Sequence, residues 1–215
     1  MVNELHKIFN ELERFTYPFE NRLNEIPNNG IYVKFEKGEK HNQFDRIVRF
    51  GTDTGENNLK KRLIEHFVTE NKNRSIFRKN IGRSILNKEK NPYLKFWELD
   101  TTSKADKEKN LKFIDVDFEI QTEKEISSYI KTNFSFCVFN VETKEQRLFW
   151  ESKLIATLAF QTKPSKYWLG NFSTKNKIRE SGLWQVQGLS KSKMTINEFD
   201  ELKKLIRQRG NKTSH

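Results

Sequence analysis

The sequence predicts an α+β fold, with a small central sheet of mixed or antiparallel strands flanked by helices. Two neighbouring segments, "GIYVKFEKGE" and "FDRIVRFGT", alternate apolar and polar residues and are rich in β-branched and aromatic side chains, as half-buried strands are. Several longer segments instead space their apolar residues at three and four, as amphipathic helices do. The 18 Phe, 5 Tyr and 4 Trp supply bulky core material to a chain in which only 34% of residues are hydrophobic and 32% are charged.

At 215 residues there is room for one domain carrying an insertion. Leu5, Ile8, Phe9 and Leu12 predict a first helix, followed by a loop broken by Pro18 and Pro27, so residues 1–28 read as a helical packing arm. The two strands come next, separated by "KGEKHNQ", a hairpin loop longer than the tightest turns. Leu59, Leu63, Ile64 and Phe67 share one face of a helix in "LKKRLIEHFVTEN". Ile76, Phe77, Ile81 and Ile85 do the same in "RSIFRKNIGRSILNKEKNP", where Gly82 weakens the middle.

Residues 99–113 are polar and aperiodic, and read as a mobile loop within an insertion at about 87–140. "FIDVDFEI" alternates as a strand, "EKEISSYIKTNF" reads as a helix and "SFCVFNVE" as a strand. "KEQRLFWESKLIATLAFQT" is the longest convincing helix, with Leu148, Phe149, Leu154, Ile155 and Leu158 apolar. After the loop "KPSKYWLGNFS", a short strand is expected in "ESGLWQVQGL". A C-terminal helix in residues 186–215 should open at Thr195 or Asn197. The main domain then spans residues 29–185.

Lys and Arg number 40 against 29 acidic residues, a formal charge of +11, which points to a polyanionic partner, nucleic acid before a membrane surface. No run of 18 apolar residues, no basic-then-apolar leader and no lipidation signal is present, so a cytoplasmic chain without membrane attachment is expected. The single cysteine, Cys137, excludes an internal disulfide and reads as a small apolar strand residue.

Five residues have chemical potential. In the first strand Ile31, Val33 and Phe35 form one side, which leaves the Tyr32 phenol on the other, free to face a cleft. Arg62 and His66 stand one helical turn apart and can reach one phosphate, unless that face is simply a solvated basic one. Glu151 lies beside an apolar run, either as a salt-bridge partner for a residue such as Arg147 or as a ligand for a hard cation. Arg49 is either an exposed strand residue or a phosphate clamp, since alternation leaves its face undecided. Lys72, Arg74, Arg78, Lys79 and Arg83, interleaved with apolar residues, suit contacts to a nucleic-acid backbone.

Taken in order, these elements resemble the GIY-YIG nuclease superfamily, and most closely its bacterial, restriction-like branch. "GIY" stands at Gly30-Ile31-Tyr32, Gly51 of "RIVRFGT" takes the glycine of "YIG", "KRLIEHF" carries an arginine and a histidine one turn later, and Glu151 sits on a downstream helix. The tyrosine of "YIG" falls on Arg49. The asparagine of a following "PxxN" falls on Tyr167, with Asn171 as candidate substitute.

The resemblance implies an endonuclease that hydrolyses phosphodiester bonds in DNA with one Mg2+ or Mn2+ held by Glu151. Tyr32 would help deprotonate the attacking water, Arg62 would stabilise charge on the phosphate, and His66 would relay a proton or hold Tyr32. A free tyrosine has a pKa of about 10, so nearby cations such as Arg49 and Arg62 would have to favour its phenolate. Double-stranded DNA is the expected partner, a restriction or defence role is one setting for it, and cutting both strands calls for a homodimer or two events. The alternative is a nucleic-acid-binding protein of the same fold without catalysis.

Overall fold

The computed structural model describes residues 1–207. Its order is α1 (Val2–Glu11), β1 (Phe15–Thr16), β2 (Ile31–His41), β3 (Phe44–Thr52), α2 (Leu59–Phe67), α3 (Ile76–Lys88), α4 (Leu94–Trp97), α5 (Lys104–Asn110), α6 (Val116–Asn133), β4 (Phe134–Phe139), α7 (Lys144–Leu158), α8 (Asn176–Ser181) and α9 (Ile196–Arg207). The four strands form one antiparallel sheet in the order β1-β4-β2-β3. The fold is α+β, as the alternating and helical periodicities predict.

β2 lies at the centre, and both of its faces are covered. Ile31, Val33 and Phe35 enter one core with Leu5 and Phe9 of α1, Leu154 and Leu158 of α7, and Leu202 of α9. Tyr32 enters the other with Leu63, Phe67, Phe77, Ile126 and Trp184. Two-sided cover makes Tyr32 only 1% exposed, so its ring is core, contrary to the expectation from alternation alone.

Four local expectations are corrected. β2 and β3 run through most of the supposed loop and close on Asn42-Gln43, with His41 paired to Phe44 and Asn42 in the left-handed region that asparagine tolerates. "FIDVDFEI" is no strand: Asp115 accepts a hydrogen bond from the Phe118 amide at 3.0 Å and so caps α6, which runs unbroken to Asn133. Residues 99–113 contain α5, capped by Ser103. "ESGLWQVQGL" forms no strand. Gly182 ends α8 in a left-handed turn, after which the segment meets β3 through a single backbone-to-backbone bond, from the Trp184 amide to the Val48 carbonyl at 2.7 Å.

Thr195 opens α9, and Thr195 and Glu198 bond each other's amides at 3.2 and 2.7 Å, the reciprocal capping box. The predicted helix beyond Arg207 lies outside the described residues. Gly82 has a positive reason to be small, since a Cβ there would lie 2.6 Å from the Trp97 ring that packs α4 on α3. Cys137 is fully buried, and burial pushes its thiol up to about 12.

Glu36 ties β2 to distant segments. Its carboxylate accepts the indole N–H groups of Trp168 and Trp184, each at 2.7 Å, and the Tyr129 hydroxyl. Glu36→Ala should cost more than about 3 kcal/mol in urea unfolding, because three buried donors lose their acceptor. Glu36→Gln, which keeps one acceptor oxygen, should cost less.

Candidate active site

A cleft of about 510 Å³ opens where β2 and β3 meet α2, α7 and the segment after Trp184, and Tyr32, Arg49, Arg62 and Glu151 all line it. The sheet register brings the strand residues together: Tyr32 pairs with Gly51 and Lys34 with Arg49, so Tyr32 and Arg49 share a face. The irregularity after Lys34, where Phe35 pairs with Ile47 and Val48 is skipped, is what alternation could not foresee.

Gly51 makes room for the phenol. A Cβ there would stand 2.1 Å from the Tyr32 hydroxyl oxygen, so the tyrosine lies directly across the glycine of the next strand. Gly51→Ala should therefore displace Tyr32 and lower the thermal midpoint by several degrees, and Gly51→Ala combined with Tyr32→Leu should recover part of that loss. Equal midpoints for wild type and Gly51→Ala would show that the ring has somewhere else to go.

The Tyr32 hydroxyl is 2.9 Å from His66 Nε2 and accepts from Arg49 Nε at 3.4 Å. His66 Nδ1 lies 2.7 Å from Ser75 Oγ, the hydroxyl that also caps α3 by accepting from the Arg78 amide. His66 is fully buried, and burial, with Lys34, Arg62, Arg49 and Arg78 nearby, holds its pKa well below the usual histidine value. It is a neutral imidazole set between two hydroxyls. One turn from Arg62 on the helix, it points inward, while Arg62 stands at the cleft edge and donates to the Glu65 carboxylate at 3.1 Å and the Arg74 carbonyl at 2.9 Å.

α7 carries Glu151 to the opposite wall. Arg147 is no partner for it, because that guanidinium bonds the carbonyls of Asp53, Gly55 and Glu142. Burial pushes the Glu151 carboxyl above the ordinary range, against the pull of Arg49, a hydrogen bond from the Thr52 backbone, and Arg62. A family model for the GIY-YIG domain matches residues 2–212.

The chain belongs to the GIY-YIG family. GIY-YIG domains are in general nucleases, which implies a nucleic-acid substrate, and they typically use divalent metals. No curated protein and no solved structure matches the chain. No helix of the described residues is long and apolar enough to cross a membrane.

In this GIY-YIG domain Arg49, standing where the second motif tyrosine would, is only 7% exposed and also donates to the Trp184 carbonyl. The basic residues after α2 divide. Arg74 is exposed, and Lys79 is half-buried with its ammonium on the Glu98 carbonyl. Arg78 is fully buried, bonded to Glu123, Ser127 and the His66 carbonyl, and Arg83 is paired with Glu98 and Asn80. Lys72 is also buried, 3.0 Å from Glu119. Arg78, Arg83 and Lys72 therefore face the interior rather than a nucleic-acid backbone. Interleaved apolar residues signalled an amphipathic helix, but α3 is packed on several sides by α4, α6 and the Leu169–Phe172 turn.

Asn171 lines a different cavity and donates to the Ser165 carbonyl at 2.9 Å. The structure does not bring it to the Tyr32 cleft. Gln185 does reach that cleft, its side-chain oxygen accepting from the Phe50 amide at 3.1 Å, with Gln187 and Lys191 alongside. Their sequence signal was slight: polar residues in an otherwise aromatic return segment.

Lys34 was also missed, because alternation marks it only as a polar strand position. Its ammonium nitrogen has no hydrogen-bond partner and lies 4.2 Å from the ring centroids of both Phe67 and Phe77. Burial and the neighbouring arginines push its pKa well below that of an ordinary lysine.

Among the described residues no group of three or more His, Cys, Asp and Glu converges. Glu151 is nevertheless a suitable donor for a hard cation. It offers carboxylate oxygens at the wall of a roomy cleft, where water and phosphate oxygens can complete the shell that magnesium prefers.

Proposed function

We propose that the chain is a divalent-metal-dependent endonuclease that hydrolyses phosphodiester bonds in double-stranded DNA, with restriction or defence as its setting. The observation that carries this reading is that Tyr32, Arg49, Arg62 and Glu151, from four different elements, line one cleft. A purely structural constellation would have no need to bring two arginines and a carboxylate to the wall of one cleft beside a hydrogen-bonded phenol.

In this reading Arg62 and Arg49 bind the phosphate and offset the charge that builds on its oxygens as water attacks. Tyr32 acts as the phenolate, its own proton lost to solvent beforehand, and takes the proton of that water. Arg49 already donates to the phenol oxygen, a contact that is strongest while that oxygen is negatively charged. His66 holds and orients Tyr32 rather than taking its proton, because a charged imidazole would be buried among Lys34, Arg49, Arg62 and Arg78. Glu151 would hold the metal, whose contribution when bound is Lewis-acid stabilisation of the departing oxygen.

Supercoiled plasmid should be nicked by the chain in Mg2+ or Mn2+ and left intact in excess EDTA. In the same assay Arg49→Ala should reduce the rate by about 10²-fold, with the circular dichroism spectrum retained. Unchanged turnover would remove the clamp role of Arg49, and no metal-dependent nicking by the wild type would remove the endonuclease reading itself.

A further inference from the structure

The loop "KPSKYWLGNFS" between α7 and α8 is fastened from beneath by two carboxylates of β2. Glu39 accepts from the Ser165 amide at 3.0 Å and from the Ser165 hydroxyl, and Glu36 holds the Trp168 indole. Asn171 closes the turn from within, its amide donating to the carbonyls of Ser165 and Lys166 at 2.9 and 3.3 Å. Between these ties Lys163, Lys166 and Tyr167 are exposed to solvent, the tyrosine 80% so. A fixed backbone that presents an aromatic ring outside the core is built for contact rather than for folding.

The charge of this surface is one-sided. Residues 161–180 hold five basic side chains and one acidic, whereas the lysine-rich stretch 99–118 holds four basic and five acidic. Among the described residues Lys163, Lys166 and Lys177 form no ion pair. The two carboxylates that touch the loop, Glu36 and Glu39, are buried. Beside the loop lies a cavity of about 530 Å³, where Lys163, Lys166 and Arg179 face Glu180 alone. Such a surface draws a polyanion.

α7 joins it to the Tyr32 cleft. Glu151 stands on the cleft wall, and Phe160, just past the end of the same helix, lines the loop cavity. At 1.5 Å per residue the end of α7 lies about 10 Å beyond Glu151, about three base-pair steps of a duplex. The return segment makes a second link. A Cβ on Gly182 would stand 2.8 Å from the Thr162 carbonyl, and Gln185, three residues on, lines the cleft.

We propose that the loop at residues 163–167 is a second contact surface for double-stranded DNA, with Lys163, Lys166 and Tyr167 on the sugar-phosphate backbone that flanks the phosphodiester in the Tyr32 cleft. Contacts of this kind position a duplex without reading its sequence. The choice of duplex as partner rests on the nuclease reading, whereas the polyanion-binding surface does not.

Fluorescence anisotropy of the full chain with a labelled duplex, in EDTA and over a range of salt, tests it. Lys163→Glu with Lys166→Glu should weaken binding by at least about tenfold and lower the slope of log Kd against log salt by about two. Lys104→Glu with Lys109→Glu, an equal change of net charge on exposed α5 positions, should weaken it by less than about threefold. Tyr167→Ala should also weaken binding, with the thermal midpoint unchanged, because its ring is outside the core. Equal losses in the two double variants, or no loss in the loop variant, would overturn the proposal. So would a loss confined to vesicles of anionic phospholipid, which would make the polyanion a membrane surface. Weaker duplex binding by the loop variant of a chain that nicks no plasmid would keep this surface and remove the nuclease reading; nicking with duplex affinity untouched by the loop substitutions would do the reverse.

Discussion

Glu151→Gln should abolish plasmid nicking, lowering the rate by on the order of 10³-fold, while the chain melts at or above the wild-type temperature. The two effects have opposite physical causes. Glu151 is the acidic side chain on the cleft wall and the proposed anchor of the metal, so a neutral amide removes the charge that would attract a hard cation. The same carboxylate is costly to the fold, because burial already pushes its protonation upward. An isosteric neutral group relieves that cost, as expected where a site is built at the expense of stability. Activity should be read as single-turnover nicking at saturating Mg2+, and stability as the thermal midpoint without metal. A Glu151→Gln chain that cuts at the wild-type rate would point to a contaminating nuclease.

Tyr32→Phe should reduce the rate by about 10²- to 10⁴-fold with DNA affinity nearly unchanged. The ring is buried and the substitution preserves its packing across Gly51. Only the oxygen is removed, and with it the groups bonded at 2.9 Å by His66 and 3.4 Å by Arg49. A buried His66 nitrogen without a partner should cost about 1–3 kcal/mol, small beside the catalytic loss. The informative comparison is rate against binding: a merely structural phenol would alter both through the fold, whereas a proton acceptor alters the rate alone. If Tyr32→Phe nicked as fast as wild type, water activation would have to be assigned to another group.

Much of the fold was legible from periodicity. The strands at Ile31 and Phe44 and the helices carrying Leu63, Ile81, Leu154 and Leu202 follow from spacing, since each buries a face whose period the sequence records. "FIDVDFEI" misled because a short alternating run has no length to separate a strand from a helix start, and the Asp115 cap decided it. β1 is two residues long and carries no period. At the site, the order of Tyr32, Gly51, Arg62, His66 and Glu151 was readable along the chain. The inward turn of Arg78 and Arg83 was not, because their acidic partners Glu123 and Glu98 are 45 and 15 residues away.

The sequence by itself determined membership of the GIY-YIG family, the α+β class and the chemical types available, because these depend on local spacing and on residue identity. The tertiary structure decided which of those residues meet. Burial on both faces of β2 makes the Tyr32 ring core while leaving its hydroxyl at a cleft. The pairing of Tyr32 with Gly51 and of Lys34 with Arg49 puts Arg49 on the same face as that hydroxyl, and the return segment brings Gln185 beside it. Such juxtapositions arise from long-range packing and register, and no local periodicity encodes them.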